Sequence, residues 1–279
     1  MKHFTKSILI SEEQAGFKKT SVTASLDAYI LDSISVCEDR KRPAVIICPG
    51  GGYGHLSDRE AEPIAMQFLA MGYHAFVLYY SLAPDGFPYP QMELAMAVSM
   101  VRSMATEHPI DPGKIVVTGF SAGGHLACSL GAFWNQSFLY GPLGLTPEDI
   151  RPNGMILAYP VISAGPSCHS GSFINLLGSR AEDKAIRHQV SLEHQVGPHT
   201  PSTFIWHTSS DDAVPVKNSY LLADALTSHG VPVEMHIYPT GCHGLSLANK
   251  EVSGEDGKFI VPSCQSWIPL AKTWLENLS

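Results

Sequence analysis

The sequence lacks paired cysteines, long apolar runs and an excess of basic residues, and each absence excludes a class of protein. Its 18 lysines and arginines against 26 aspartates and glutamates leave a net charge of −8 at pH 7. A nucleic-acid-binding protein needs a basic face to neutralise phosphates. The negative balance therefore predicts no nucleic-acid partner, and we interpret the acidity as a contribution to solubility.

Neither the cysteines nor the apolar segments indicate an exported or membrane-bound protein. The six cysteines form no Cys-x-x-Cys pair and show no zinc-finger spacing, which predicts reduced, structural thiols. The apolar run before Glu12 is too short for a signal peptide. No stretch approaches the ~20 apolar residues of a membrane span. We therefore expect a soluble, cytoplasmic protein with no membrane partner.

Short β-rich apolar runs alternate with longer amphipathic stretches along most of the 279 residues. Apolar strands separated by helices are typical of a parallel sheet covered on both faces. We predict one α/β domain, 1–279, in which the strands before Ala44 form an antiparallel edge with no helix between them. The predicted strands are 27–32, 44–48, 75–80, 114–119, 154–159, 203–207 and 233–238, and the predicted helices are 59–71, 91–107, 121–134, 216–229 and 263–278.

The pattern Ser57-Asp58-Arg59-Glu60 marks the predicted start of the first helix. A serine followed three residues later by a glutamate is typical of a capping box, in which each side chain bonds the other residue's backbone amide. We therefore expect Ser57 and Glu60 to close the amino end of that helix.

One serine stands between a strand pattern and a helix pattern, with a glycine on each side. The segment Gly119-Phe120-Ser121-Ala122-Gly123 matches the G-x-S-x-G nucleophile elbow. In that elbow a sharp turn exposes the serine hydroxyl, and small residues let strand and helix approach closely. The following helix also points backbone N–H groups at developing negative charge. Ser121 is therefore the candidate nucleophile.

A serine hydroxyl needs a base to remove its proton, and His243 is the best candidate among thirteen histidines. It follows the last predicted strand, in a loop with a glycine on each side of "CH", where ligands gather in open α/β sheets. By contrast, His125 lies on the helix after the serine and suits packing or a pocket wall, and His207 ends a strand and is interpreted as structural. The histidines at 188, 194 and 199 lack the spacing of metal ligands.

An acid that orients the imidazole is expected between the serine and the histidine. Asp211 and Asp212 follow a predicted strand and precede a helix, at the same edge of the sheet. Because they are neighbours, we expect only one to point at the histidine, the other capping the helix or facing solvent. Either choice gives the chain order Ser, Asp, His of α/β-hydrolases.

A glycine-rich loop follows the strand at 44–48 and supplies a candidate oxyanion hole. Gly50, Gly51 and Gly52 carry no side chain that would cover their backbone N–H groups, which can then face a substrate carbonyl. A phosphate-binding loop is the competing interpretation. That loop needs G-x-x-x-x-G-K-[ST] or G-x-G-x-x-G, and "GGGYGHLS" contains no lysine.

Together these motifs resemble an α/β-hydrolase of the carbohydrate-esterase-like group, similar to acetyl xylan esterase-like and feruloyl esterase-like proteins. The resemblance covers nearly the whole chain and rests on "CPGGGYGHLSDREAEPIA", "GFSAGGHLA", "ILAYPVIS", "PSTFIWHTSSDDAVPVKNS" and "GCHGLSLAN". It implies the α/β-hydrolase fold, with a mostly parallel eight-stranded sheet and helices on both faces.

The resemblance also implies that Ser121 is the nucleophile, His243 the base and Asp211 the acid. The implied oxyanion N–H groups are those of Gly51, Gly52 and Ala122. Pro49 stands where lipase-like relatives have histidine, so the support of this loop must differ.

The implied activity is a serine esterase that hydrolyses short-chain acyl esters, acetyl above all, on carbohydrates such as acetylated xylo-oligosaccharides. No cofactor and no metal are implied. We expect Tyr53, Phe120 and His125 to contact the substrate and crowd a small acyl site, and the irregular segment 163–199 to form an insertion that covers it.

Two alternatives are a peptidase of the prolyl-oligopeptidase type, which usually carries an additional propeller, and a catalytically dead receptor, which typically lacks a triad residue. A homo-oligomer is compatible with the sequence, which does not determine the oligomeric state.

Overall fold

Eight β-strands form one continuous, mostly parallel sheet in the computed structural model, which describes residues 1–20 and 23–278. The spatial order is β1-β2-β4-β3-β5-β6-β7-β8, and β2 alone runs in the direction opposite to the other seven strands. The strands are β1 Lys2–Ile8, β2 Ala24–Ile30, β3 Arg42–Cys48, β4 His74–Tyr79, β5 Ile110–Phe120, β6 Gly154–Ala158, β7 Thr203–Thr208 and β8 Val233–Tyr238. The predicted sheet, with its antiparallel edge, is confirmed.

Helices cover both faces of this sheet, because its central strands are apolar on both sides. In β3, Ile46 packs into the core on one face, and Val45 and Ile47 pack into the core on the other. The α-helices in the described residues are α1 Glu12–Ala15, α2 Glu62–Ala70, α3 Tyr89–Ser103, α4 Ala122–Phe133, α5 Ser137–Tyr140, α6 Pro147–Ile150, α7 Ser170–Leu177, α8 Lys184–Gln189, α9 Lys217–Ser228 and α10 Trp267–Glu276. Side chains of α3, α4 and α9 contribute to the first core, and those of α2 and α10 to the second. No helix among the described residues is long and apolar enough to cross a membrane.

Two expectations for the amino-terminal half are wrong. The first strands are separated by a short helix, α1, which begins with a capping box between Ser11 and Gln14. The Ser11 hydroxyl accepts the Gln14 amide at 3.1 Å, and the Gln14 side chain accepts the Ser11 amide at 2.9 Å. Reciprocal bonding of this kind satisfies two amide groups that a helix of four residues would otherwise leave free.

The second wrong expectation concerns the capping box at Ser57. Residues Asp58–Glu60 form a single 3₁₀ turn with no side-chain cap, and α2 starts only at Glu62. The Glu60 side chain turns inward instead and is 2% exposed. A sequence pattern of cap residues cannot distinguish a glutamate that folds back on its own turn from one recruited by partners elsewhere in the chain.

His125 on α4 lies in the core, where it is fully buried. Its Nε2 lies 2.8 Å from the Val190 carbonyl oxygen, so that nitrogen carries the proton, and its Nδ1 accepts the Tyr53 hydroxyl at 2.9 Å. Burial lowers the pKa of His125 to about 4, from an ordinary value of 6.5. The neutral ring is therefore part of the folded structure.

This burial predicts a loss of stability in mild acid. An unfolded histidine binds its proton below pH ~6.5, whereas the folded one resists it down to pH ~4, so stability falls as the pH decreases through this window. Between pH 7.5 and 4.5, His125 should account for a loss on the order of 2 kcal/mol in the free energy of unfolding. Urea unfolding at the two pH values should show a smaller loss for His125→Gln than for the wild type.

A matched control is His229→Gln, because His229 is exposed after the end of α9. Its pH-dependent loss should equal that of the wild type. If His125→Gln lost as much stability in acid as the wild type, the buried neutral ring would not be responsible.

Candidate active site

Ser121 occupies the sharp turn between β5 and α4, at the carboxyl edge of the sheet. Its backbone has φ 54° and ψ −118°, a region that a non-glycine residue rarely adopts. The turn needs glycines beside it: a Cβ on Gly119 would lie 2.0 Å from the Gly123 carbonyl oxygen. A Cβ on Gly123 would lie 2.0 Å from the Cys48 carbonyl oxygen. Backbone contact between β3, β5 and α4 thus presents the serine at the edge of the sheet.

The structure brings Ser121, His243 and Asp211 into one hydrogen-bonded line. The Ser121 Oγ lies 2.7 Å from His243 Nε2, and His243 Nδ1 lies 2.7 Å from Asp211 Oδ2. Because an ionised carboxylate only accepts hydrogen bonds, Nδ1 carries the ring proton and Nε2 accepts the serine hydroxyl. The arrangement can remove the proton of the serine as the serine attacks a carbonyl carbon.

The Asp211 carboxylate is buried, and both of its oxygens are occupied. Oδ1 accepts the amides of Ala213 and Val214 at 2.9 and 2.8 Å, and Oδ2 accepts His207 Nε2 at 3.2 Å beside His243. Burial raises the pKa of Asp211, but the hydrogen bonds from His207 and His243 outweigh it and hold that pKa well below its ordinary value. The carboxylate therefore stays ionised next to the imidazole.

Two neighbours of this line, Asp212 and His207, make contacts that the sequence did not predict. Asp212 also reaches His243, because its Oδ1 accepts the His243 backbone amide at 3.0 Å. The expectation that only one of the two carboxylates would point at the histidine is therefore wrong: one bonds the ring and the other the backbone. His207, interpreted as structural, is fully buried and lies against Asp211, with its Nδ1 2.8 Å from the Ser219 hydroxyl.

The glycine loop after β3 runs along the other side of Ser121. Gly51 and Gly52 have positive φ values of 127° and 62°. Their amides, and that of Ala122 at the start of α4, donate to no group within the described residues, whereas the Gly50 amide donates to Glu60 Oε2 at 2.8 Å. Three predicted oxyanion donors are thus unbonded, and Gly50 is not among them.

Side chains from three parts of the fold hold this glycine loop in place. Lipase-like relatives have a histidine at the position of Pro49. The Tyr80 hydroxyl donates to the Pro49 carbonyl oxygen at 2.6 Å, and the Asn175 amide donates to the Gly52 carbonyl oxygen at 2.8 Å. Together with Glu60, they bond both sides of the Pro49–Gly50 peptide and the carbonyl side of the Gly52–Tyr53 peptide. The departure at Pro49 is compensated by contacts that the sequence motif does not contain.

A cavity of about 470 Å³ lies over Ser121 and His243. Its wall contains no aliphatic or aromatic hydrocarbon side chain among the described residues. It is formed by Gly51, Gly52, Gly54, His55, Ser57, Arg59, Glu60, Ser121, His169, Gly171, Asn175, His243 and Gly244. A surface of glycine backbone, imidazole, amide and guanidinium groups suits a ligand rich in hydroxyl groups.

The residues expected to contact substrate do not form this wall. Tyr53, Phe120 and His125 are at most 1% exposed and pack beneath the site. The wall instead contains His169, the residue before α7, and Asn175, which lies on α7. Both residues belong to the segment 163–199. Burial, and then the nearby His243, lowers the pKa of His169, so its ring is neutral near pH 7. In the sequence, only the irregular pattern of the segment 163–199 pointed to this part of the site.

The described residues contain no group of three or more histidine, cysteine, aspartate or glutamate side chains that could hold a metal ion. His188 and His194 stack with ring centroids 4.8 Å apart, and they are not part of such a group.

Comparisons with known proteins identify relatives of this chain. The chain is 39% identical over 220 residues to endo-1,4-beta-xylanase B of Butyrivibrio fibrisolvens, covering 77% of this chain and 34% of the relative. It is 32% identical over 235 residues to the acetylxylan esterase of Xylanibacter ruminicola, covering 82% of this chain and 46% of the relative. The chain thus spans about a third to a half of these curated relatives.

Solved structures match over more of their length. An acetyl ester-xyloside bifunctional hydrolase from Caldicellulosiruptor lactoaceticus is 38% identical, with a TM-score of 0.80 and coverage of 92% of this chain and 89% of that one. The carboxylesterase Cest-2923 from Lactobacillus plantarum is 28% identical, with a TM-score of 0.84 and coverage of 99% and 98%. The BD-FAE family model matches residues 34–226. The chain therefore belongs to the BD-FAE family and has the α/β-hydrolase fold, as its motifs predicted.

Proposed function

We propose that this protein is a serine esterase that removes short acyl groups, acetyl above all, from carbohydrate esters such as acetylated xylo-oligosaccharides. The observation that carries the proposal is the line from Ser121 Oγ through His243 to Asp211, with 2.7 Å at each step, at the base of a polar cavity. Nucleophile, base and orienting acid at these distances suit acyl transfer.

In the proposed reaction Ser121 Oγ attacks the ester carbonyl carbon while His243 Nε2 takes its proton. Asp211 holds the ring in the tautomer that leaves Nε2 free and stabilises the imidazolium that forms. The oxyanion accepts hydrogen bonds from the unbonded amides of Ala122 and of the loop at Gly51 and Gly52. Collapse of the intermediate breaks the ester bond, and the leaving alcohol takes the proton from His243.

Water completes the cycle by attacking the acyl-serine. His243 removes a proton from the water as the water bonds to the acyl carbon, and it returns that proton to Ser121 Oγ as the serine leaves. The products are the free acid and the regenerated serine. No cofactor takes part, since proton transfer and hydrogen bonding supply each step.

The chemistry of the cavity supports a carbohydrate alcohol and a short acyl group. Arg59, His169 and Asn175 present donors and acceptors at the wall, which suit the hydroxyl groups of a sugar. A long acyl chain would find no hydrocarbon side chain in that wall to bury its methylene groups. Two similar proteins, an acetylxylan esterase and an acetyl ester-xyloside bifunctional hydrolase, favour the same substrate class by their names.

Replacement of the nucleophile gives the most direct test. Ser121→Ala should lower kcat for p-nitrophenyl acetate by about 10⁴- to 10⁶-fold without changing the circular dichroism spectrum. Ser129→Ala is a matched control, because Ser129 lies two turns further along α4 and bonds the His125 carbonyl oxygen away from the cavity. A fluorophosphonate should label the wild type and the control but not Ser121→Ala. Retained turnover in folded Ser121→Ala would refute the assignment.

The two adjacent carboxylates should differ in their effect on turnover. Asp211→Asn removes the charge and, with its oxygen kept by the Ala213 and Val214 amides, turns an NH₂ donor towards the imidazole, which favours the wrong tautomer. It should lower kcat on the order of 10⁴-fold. Asp212→Asn keeps an oxygen that can accept the His243 amide, so we expect a loss of about fivefold or less, equivalent to ~1 kcal/mol. Steady-state kinetics of both variants would measure the ranking, and the reverse order would assign the acid to Asp212.

A series of acyl chains tests the polar cavity. Each buried methylene is worth ~0.8 kcal/mol only where an apolar wall receives it. We therefore expect kcat/KM to fall from p-nitrophenyl acetate to butyrate to octanoate, with the same leaving group throughout. Acetate release from acetylated xylo-oligosaccharides should exceed acid release from feruloyl esters. A maximum at octanoate would indicate a lipid substrate and contradict the proposal.

A further inference from the structure

Glu60 is a buried carboxylate beside the site that the proposed reaction does not use. It is 2% exposed, although it lies two residues before α2 and does not form the expected helix cap. Oε2 accepts the Gly50 amide at 2.8 Å, and Oε1 accepts the Tyr159 hydroxyl at 2.6 Å. No basic side chain within the described residues forms a salt bridge with it.

The Tyr159 hydroxyl continues this contact to the loop that carries the histidine. It accepts the Ser246 backbone amide at 2.8 Å, and Ser246 lies three residues after His243. The Tyr159 ring packs edge-on against the His243 ring, with centroids 5.1 Å apart. Tyr159 itself directly follows the end of β6 and has a positive φ of 38°.

On the other side, Glu60 holds the first peptide of the glycine loop. A Cβ on Gly50 would lie 2.7 Å from Glu60 Oε2 and 2.8 Å from the Phe120 carbonyl oxygen, so only glycine permits this approach. The bond fixes the Gly50 peptide immediately before the unbonded amides of Gly51 and Gly52. One side chain thus contacts the chain on both sides of the Ser121 hydroxyl.

We propose that Glu60 is a positioning residue that sets the oxyanion loop and the histidine loop relative to each other. The proposal rests on the esterase function proposed above. A buried carboxylate without a charged partner costs stability, so packing alone does not explain its place. Its hydrogen bonds do explain it, because both neighbours are donors and each of the two carboxylate oxygens accepts from one of them. Glutamine would turn its NH₂ group towards one of them.

The kinetic signature of such a residue differs from that of a structural one. Oxyanion hydrogen bonds strengthen as charge develops in the transition state, so a displaced loop lowers kcat more than it changes KM. Loss of an oxyanion donor itself costs about 10²- to 10³-fold in kcat. Because Glu60 acts through the loop, we expect Glu60→Gln to lower kcat by about 10- to 100-fold, with KM within about threefold of the wild type.

Glu93→Gln is the matched control. Glu93 is also a fully buried carboxylate, and it accepts the Ser81 amide at 2.6 Å, the Ser81 hydroxyl at 2.5 Å and Lys19 Nζ at 2.9 Å. It does not belong to the cavity wall. We expect Glu93→Gln to lower Tm while its kcat stays within about twofold of the wild type. A comparable loss of kcat in both variants would indicate general destabilisation and overturn the proposal.

The experiment measures kcat and KM for p-nitrophenyl acetate, Tm, and the Ki of a trifluoromethyl ketone, which forms a tetrahedral adduct with the serine. In Glu60→Gln the Ki should rise by the factor by which kcat/KM falls. If Glu60→Gln does not fold, Tyr159→Phe decides the question, because it keeps the ring and removes only the shared hydroxyl. Wild-type kcat in folded Glu60→Gln, or in Tyr159→Phe, would overturn the proposal. No turnover in the wild type would instead refute the esterase function.

Discussion

The close packing of β5 against α4 at Ser121 is the constraint on which the site depends. The serine keeps its unusual backbone conformation because the residues around it leave no space for side chains at Gly119 and Gly123. Carbonyl oxygens of β3 and α4 fill the positions that those side chains would occupy. This contact places the serine hydroxyl and the start of α4 at a single point at the edge of the sheet, and the loops that follow β3, β7 and β8 can then converge on it.

Buried carboxylates hold these loops in place. Asp211 connects the loop after β7 with the ring of His243, and its four hydrogen bonds keep it ionised although it is buried. Glu60 connects the loop after β3 with Tyr159, and through it with the loop after β8. In both cases the two oxygens of one side chain accept hydrogen bonds from donors in different parts of the chain. Loops arranged by such contacts need less reorganisation when charge develops during a reaction.

Much of this arrangement could be predicted from local patterns. The elbow is recognised from its glycines, the strand before it and the helix after it, all of which are patterns within ten or so residues of Ser121. The order of Ser121, Asp211 and His243 follows from the fold that these patterns indicate. The polar wall was harder to find, because His169 and Asn175 lie in a segment without strong periodicity. Predictions for Tyr53, Phe120 and His125 rested on proximity in sequence, which does not distinguish a side chain above the serine from one beneath it.

The sequence by itself determined the fold class, the elbow and the residues that meet at the edge of the sheet, because hydrophobic periodicity and glycine sterics are local properties. Only the tertiary structure decided which carboxylate bonds which group. Glu60 left its expected cap to bond Tyr159, 99 residues away in the chain, and Asp211 and Asp212 divided the ring and the backbone of His243 between them. Such choices depend on which donors the folded chain brings within 3 Å of a buried oxygen, and no local pattern contains that distance.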